Sequence, residues 1–256
     1  MNAKNIAKRT AISVFAVFFW IFLWFLIAEK LSFSLVLPSP KEVFPRLFDL
    51  MRTWAFYRLL FTSFLRVMTG FLSGAFLGFF LGCLSYYLPP VQALISPLMA
   101  IVRATPVASF ILVVLFWMER DFVPSFISLL MVLPIVWQNT VLGFEKRDRT
   151  LTEMAKVYRI GKWKSFLKID LPQIVSFPIG AAKTGLGLAW KAGVAAEVLA
   201  LPKVSVGYRI YNAKMYLETV DLYAWTLAII LLSVCLEKLL FALLSKRKGN
   251  VYVEHK

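Results

Sequence analysis

Arg66, Arg103, Lys183, Lys191, Glu197, Glu237 and Lys238 stand in or near long apolar runs of this chain. A charge at bilayer depth is costly, so each is a candidate for handling a solute. Near the end of a run a long side chain can instead lie along lipid and carry its charge out to the interface. Arg66, Lys183, Glu237 and Lys238 are read that way. Lys191 stands deep in its run, beside Trp190 and two residues before Gly193. Arg103 precedes Pro106, and proline breaks or kinks a helix. Backbone groups freed at membrane depth are tolerated where they line a cavity. The expectation is a translocation path lined by Arg103, Pro106, Trp190 and Lys191, with Glu197 as a partner near its outer end. A basic path suits an anionic solute.

Covalent and hydrolytic chemistry find no support. No stretch has the G-x-x-x-x-G-K-[ST] phosphate cradle, since Gly161-Lys162 is followed by Trp163. The single histidine, His255, is in the C-terminal tail, which argues against a histidine zinc site or a Ser/His/Asp triad. Cys83 and Cys235 lie far apart in apolar runs and suggest neither a disulfide nor a metal. The chain is therefore not read as an enzyme. No catalytic residues, no metal and no cofactor of its own are expected.

A different kind of chemistry is written in residues 153–172, EMAKVYRIGKWKSFLKIDLP. Lys156, Arg159, Lys162, Lys164 and Lys168 bar this stretch from lipid. Leu151, Met154, Ala155 and Tyr158 recur at helical spacing and share one face. Thr150 or Thr152 is a possible cap, with Glu153 near the positive end of the helix dipole. Gly161 offers a turn. Lys162 to Lys168 then predict a second short helix with Trp163, Phe166 and Leu167 on its apolar side, stopped by Asp170-Leu171-Pro172. The residues alone serve equally an interfacial helix pair resting on anionic lipid and a docking surface for another protein.

The elements that must position these groups are membrane spans. The chain is 60% hydrophobic with 23 phenylalanines, more apolar than soluble domains. A span needs ~20 apolar residues, and six stretches qualify: about 10–30, 58–87, 91–118, 122–144, 173–199 and 222–245. The second and third are long enough to include tilt or a turn. The net charge of +15 is not read as nucleic-acid binding, because the basic residues cluster between apolar runs. With a cytoplasmic N-terminus, the inside segments hold Lys4, Lys8, Arg9, the basic residues of 145–172, and Lys246, Arg247, Lys248 and Lys256. The outside segments hold fewer cations, which agrees with the positive-inside rule. They are instead rich in Trp54, Phe56, Tyr57, Tyr208, Tyr211 and Tyr216, as expected at an interface. The first apolar run is too long for a signal peptide and is read as a retained span. Gly70, Gly74, Gly78 and Gly82 lie on one helical face, and Ala181, Gly185, Ala189 and Gly193 on another. Such stripes let helices approach closely within a bilayer.

Glu153, Ala155, Ile169, Leu171 and Pro172 lie in register with the motif Glu-Ala-Ala, three residues, Gly, nine residues, Ile, one residue, Leu-Pro. The stretch thereby resembles the EAA loop of binding-protein-dependent ABC importer permeases. Met154 replaces the first alanine, and Arg159 occupies the glycine position, with Gly161 two residues later. Other matches are similar to the nitrate/sulfonate/taurine-type branch. They are Leu37-Pro38-Ser39-Pro40, Arg66…Gly70, Arg103-Ala104-Thr105-Pro106 and Gly185-Leu186-Gly187-Leu188-Ala189-Trp190…Ala196-Glu197, so the resemblance covers roughly residues 35–245.

The resemblance implies an all-α integral membrane protein with six transmembrane helices, a MetI-like type I importer permease fold in one domain, 1–256. It implies that residues 145–172 form a coupling loop seated in a cytoplasmic ABC ATPase, through Glu153, Met154, Ala155, Tyr158, Arg159, Gly161, Ile169, Leu171 and Pro172. The implied partners are two such ATPase subunits carrying ATP and Mg, an extracytoplasmic solute-binding protein, and a second permease copy in a homodimer or, less often, a different second permease chain. The implied place is the bacterial cytoplasmic membrane, multi-pass, with both termini inside. The solutes of the branch include sulfonates, taurine, nitrate, bicarbonate and vitamin precursors. The alternative is a secondary transporter driven by a gradient, which calls for an inverted repeat and buried acids in broken helices. The chain shows no convincing repeat, and acids within its spans are scarce.

Overall fold

A computed structural model describes residues 3–31 and 36–251, with side chains for residue 12, 15–30 and 36–239. The terminal cations Lys4, Lys8, Arg9, Lys246, Arg247, Lys248 and Lys256, and His255, lie outside the described side chains. The described chain is helical: α1 Ala3–Leu31, α2 Pro40–Met51, α3 Trp54–Tyr87, α4 Pro89–Ala104, α5 Val107–Val114, α6 Val123–Glu145, α7 Arg149–Val157 and α8 Lys162–Ser165. A π turn, Phe166–Asp170, leads into α9 Leu171–Ile174, α10 Ser176–Ala200, α11 Val206–Met215 and α12 Thr219–Val251.

Three helices are long and apolar enough to cross a membrane among the described residues: Trp54–Tyr87, Val123–Glu145 and Thr219–Leu239. The expected third span is broken. Pro106 has no N–H and pushes Thr105 into extended backbone (φ −75°, ψ 128°). The Thr105 hydroxyl donates to Ile101 O at 2.8 Å and closes α4. Beyond it α5 leaves at 106° to α4, and the pair makes a fourth span if counted as one. Helices also stand at the first and fifth expected positions, as α1 and α10. Among the described residues, length and apolarity thus count three or four spans, where the sequence predicts six. Lys183, Lys191 and Glu197 interrupt α10.

The chain divides into two compact units, residues 1–59 with 209–230 and residues 60–208 with 231–256. In the first, Pro40 stands at the start of α2, and the Glu42 carboxylate accepts from Ser39 N at 3.1 Å, the reciprocal half of a capping box. The sequence reading had no helix here. Arg46 makes a two-pronged ion pair with Asp221 at 2.5 and 2.9 Å. That bond holds the Arg46 guanidinium above its ordinary pKa, against the lowering effect of burial. Phe56, expected at the interface, is instead buried and packs on Trp225 with ring centroids 5.2 Å apart.

The second unit is built around α6. On one side α3 approaches through its glycines. A β-carbon on Gly70 would lie 2.0 Å from Ser125 O, on Gly74 2.6 Å from Leu129 O, on Gly78 2.7 Å from Leu133 O, and on Gly82 2.5 Å from Thr140 Cβ. On the other side α10 turns its buried Ala181, Gly185, Ala189 and Gly193 inward. Ser128 of α6 donates to Ala189 O at 3.1 Å. Ile111 and Val114 of α5, Val123 and Ile127 of α6, and Ala192, Ala196 and Ala200 of α10 close one core cluster. Trp137 of α6 donates from Nε1 to Ser85 Oγ at 2.9 Å, which aligns the far end of α3 with α6.

Candidate functional site

The chain leaves α6 and returns to α10 through residues 146–175, and both ends of this segment are tied. Arg147 and Asp170 form an ion pair at 2.7 Å, each almost shut off from solvent. Tyr87, the last residue of α3, donates from its hydroxyl to the other oxygen of Asp170 at 3.0 Å. The Arg147 guanidinium lies 5.0 Å from the Tyr86 ring centroid, and Tyr86 stacks on Phe144 at 4.4 Å. Asp148 N donates to Gln173 Oε1 at 2.9 Å, and Gln173 Nε2 donates to Ile169 O at 2.9 Å. A buried charge held by its partner and two neighbours is costly to disturb, so the base of the segment is firm.

Between these ties lies α7. Its cap is Asp148, whose carboxylate accepts from Thr150 N at 2.8 Å, so neither threonine plays that part. The face expected to share one environment is divided. Ala155 is buried, whereas Leu151, Met154 and Tyr158 are exposed, as are Glu153 and Val157. The turn that ends α7 is built at Arg159, not at Gly161. Arg159 has φ 52°, in the left-handed region. Ile160 N donates to Ala155 O at 2.9 Å and Arg159 N to Lys156 O at 3.0 Å, the double bond of a Schellman cap. Glycine suits such a position because it has no β-carbon. An arginine there keeps the turn at a cost of about 1 kcal/mol. Gly161 has φ −57° and opens α8.

The second short helix does not stop at Asp170-Leu171-Pro172. It runs from α8 through the π turn into α9, with Pro172 in the first turn of α9. A proline clashes with the carbonyl four residues back and cannot bond to it. The wider turn relieves this, with Leu171 N bonded to Phe166 O instead. Trp163 and Leu167 are exposed, and Phe166 is half-buried.

The residues expected along a path fall into two groups. Lys191 is exposed on α10, on a face shared with Thr184, Leu188, Ala195 and Leu199, while its neighbour Trp190 is buried. Arg103 is exposed and donates to Gln138 of α6, and Pro106 sits at the break after it. Glu197 is fully buried, ~120° around α10 from Lys191. Its Oε2 accepts from Ser63 Oγ at 2.7 Å and from Gly207 N at 3.2 Å, and Arg66 Nη1 lies 3.6 Å from Oε1. Arg66 also donates to Val204 O at 2.7 Å and pairs with Asp121. Arg66 is therefore a half-buried partner of Glu197, held between it and the exposed Asp121, and does not reach out along lipid. A β-carbon on Gly207 would meet Glu197 Cβ at 2.4 Å, so the residue above this carboxylate must be glycine. Glu237 and Lys238 are exposed on α12. Among the described residues no cluster of ligands is able to hold a metal ion.

Sequence reasoning missed the ties of the base. Arg147 read as one of many inside cations and Asp170 as a helix stop, although an acid among so many cations was a signal that it had a partner.

Residues 74–248 match the family described as "Binding-protein-dependent transport system inner membrane component". A probable ABC transporter permease of Brucella melitensis is 27% identical over 227 residues, covering 86% of this chain and 88% of that protein. A putative aliphatic sulfonates transport permease of Bacillus subtilis is 27% identical over 191 residues, 74% and 68% of the two chains. A nitrate import permease of Synechocystis sp. is 26% identical over 189 residues, 69% and 68%.

Proposed function

We propose, from the premise that this chain belongs to the family of binding-protein-dependent transport system inner membrane components, that it is the membrane subunit of an ATP-driven importer. The observation that carries the reading is the segment after α6. Its base is fixed by Arg147–Asp170 and Asp148–Gln173, while Leu151, Met154 and Val157 of α7 and Tyr158 at its C-terminal cap stand exposed. An apolar patch on a firm base is a lever that another protein can push. In this scheme a cytoplasmic ATPase, which carries the ATP and Mg, grips Glu153, Met154 and Tyr158. Arg159, Gly161, Ile169, Leu171 and Pro172 set the angle at which α7 is presented.

An extracytoplasmic binding protein delivers the solute, and a second copy of the chain completes the pathway. Arg103 and Lys191 then face a small anionic solute, of the sulfonate or nitrate class for which two relatives are named. Both termini lie in the cytoplasm.

The test is purification of the tagged chain from its native membrane in detergent, beside a Glu153→Arg variant, with bound proteins identified by mass. An ATPase that accompanies the parent chain and is lost from the variant supports the reading. No ATPase with either form returns the chain to a gradient-driven mechanism.

A further inference from the structure

We propose that a cleft between the end of α3 and the α7–π-turn segment binds one anionic phospholipid, its phosphate at Lys156 and Lys162 and an acyl chain along α3. This goes beyond ATPase docking and requires only that α3 lies in the bilayer. The cleft has a volume of about 750 Å³, within the ~300–1,000 Å³ of small-molecule sites. One wall is Phe79, Phe80, Cys83 and Leu84 of the span α3; Ile160 and Phe166 stand on the other side.

Arg147, Lys156 and Lys162 also line the cleft, against the carboxylate of Asp170. Both oxygens of Asp170 are already engaged, by Arg147 and Tyr87. Among the described residues neither Lys156 nor Lys162 has an ion-pair partner. The two lysines therefore remain available to an anion. An apolar wall on a membrane helix, with free cations where that helix ends, matches the two halves of an anionic phospholipid. A soluble anion has no use for the wall. An extended protein segment laid along it would carry unpaired backbone groups into hydrocarbon. The residues of α7 that meet the cleft, Thr152, Ala155 and Lys156, are not those that the ATPase grips, Glu153, Met154 and Tyr158, none of which lines the cleft.

The experiment reconstitutes the full chain, with its ATPase where one copurifies, into nanodiscs of phosphatidylglycerol and phosphatidylcholine. Retained lipid is counted by native mass spectrometry. The expected result is one phosphatidylglycerol held per chain in preference to phosphatidylcholine. Each lysine contributes roughly fivefold to that preference, so Lys156→Gln with Lys162→Gln lowers it about 25-fold. Lys164→Gln with Lys168→Gln, outside the cleft, leaves it unchanged. Equal retention of the two lipids, undiminished retention in the first double variant, or loss of the lipid when the ATPase binds overturns the proposal. Location is read by Trp163, which lines the cleft. Brominated phosphatidylglycerol quenches tryptophan fluorescence more than brominated phosphatidylcholine does, and Trp163→Phe abolishes the excess. An excess that survives the substitution places the lipid elsewhere and overturns the assignment.

Discussion

Arg147 and Asp170 meet at 2.7 Å and bind the chain where it leaves α6 to the chain where it enters α9. The pair sits among aromatic rings and is almost dry. Removing one member strands the other without a counter-charge. Asp170→Ala is expected to lower stability by about 3–5 kcal/mol. Asp170→Asn, which keeps the shape and can still accept from Tyr87, costs less. Thermal unfolding of the detergent-purified chain measures both. An unchanged midpoint in Asp170→Ala means that the pair does not hold the segment.

The left-handed turn at Arg159 gives a prediction of the opposite sign. Arg159→Gly removes the β-carbon strain at φ 52° and is expected to stabilise the segment by about 1 kcal/mol. Arg159→Val, a β-branched residue at positive φ, lowers stability. The same thermal measurement decides. We expect Arg159→Gly also to change ATPase affinity weakly, which a binding titration reads, since the angle of α7 depends on this turn.

The contact of α3 with α6 predicts a sharp contrast between two glycines. At Gly70 a β-carbon would lie 2.0 Å from Ser125 O, and backbone cannot move aside cheaply. Gly70→Ala is expected to cost about 1–3 kcal/mol through forced separation of the helices. At Gly180 a β-carbon meets nothing within 4 Å. Gly180→Ala in α10 is therefore neutral or stabilising by up to ~1 kcal/mol. Folded yield after detergent extraction and the unfolding midpoint separate the two.

How far the sequence was legible differs from feature to feature. The spacing of Gly70, Gly74, Gly78 and Gly82 announced a close helix contact, because period alone fixes the face of a helix. It was silent on the partner, which is set by tertiary packing. Pro106 announced a break, since a missing N–H is local, but not the 106° bend. Pro172 misled, because a π turn lets a helix absorb a proline when the flanking contacts reward it. Arg66 misled for a related reason. Its distance from the end of an apolar run suggests solvent, yet Asp121, Val204 and Glu197 come from far along the chain. Gly161 looked like the turn because glycine is the usual residue at positive φ, yet Arg159 takes that conformation.

The buried carboxylate of Glu197 also constrains how the protein is made. Its hydroxyl partner Ser63 is synthesised 134 residues earlier, which is roughly 7–27 s at ordinary ribosomal rates. For that interval Arg66 has no Glu197 to meet. Asp121 emerges sooner, 55 residues after Arg66, and can shield the guanidinium while the nascent chain lengthens. The order of translation thus makes Asp121 a temporary guardian and Glu197 the final lock, set only after the Val206–Gly207 stretch has left the ribosome. The Glu197–Gly207 contact is the last of this corner that the growing chain is able to make.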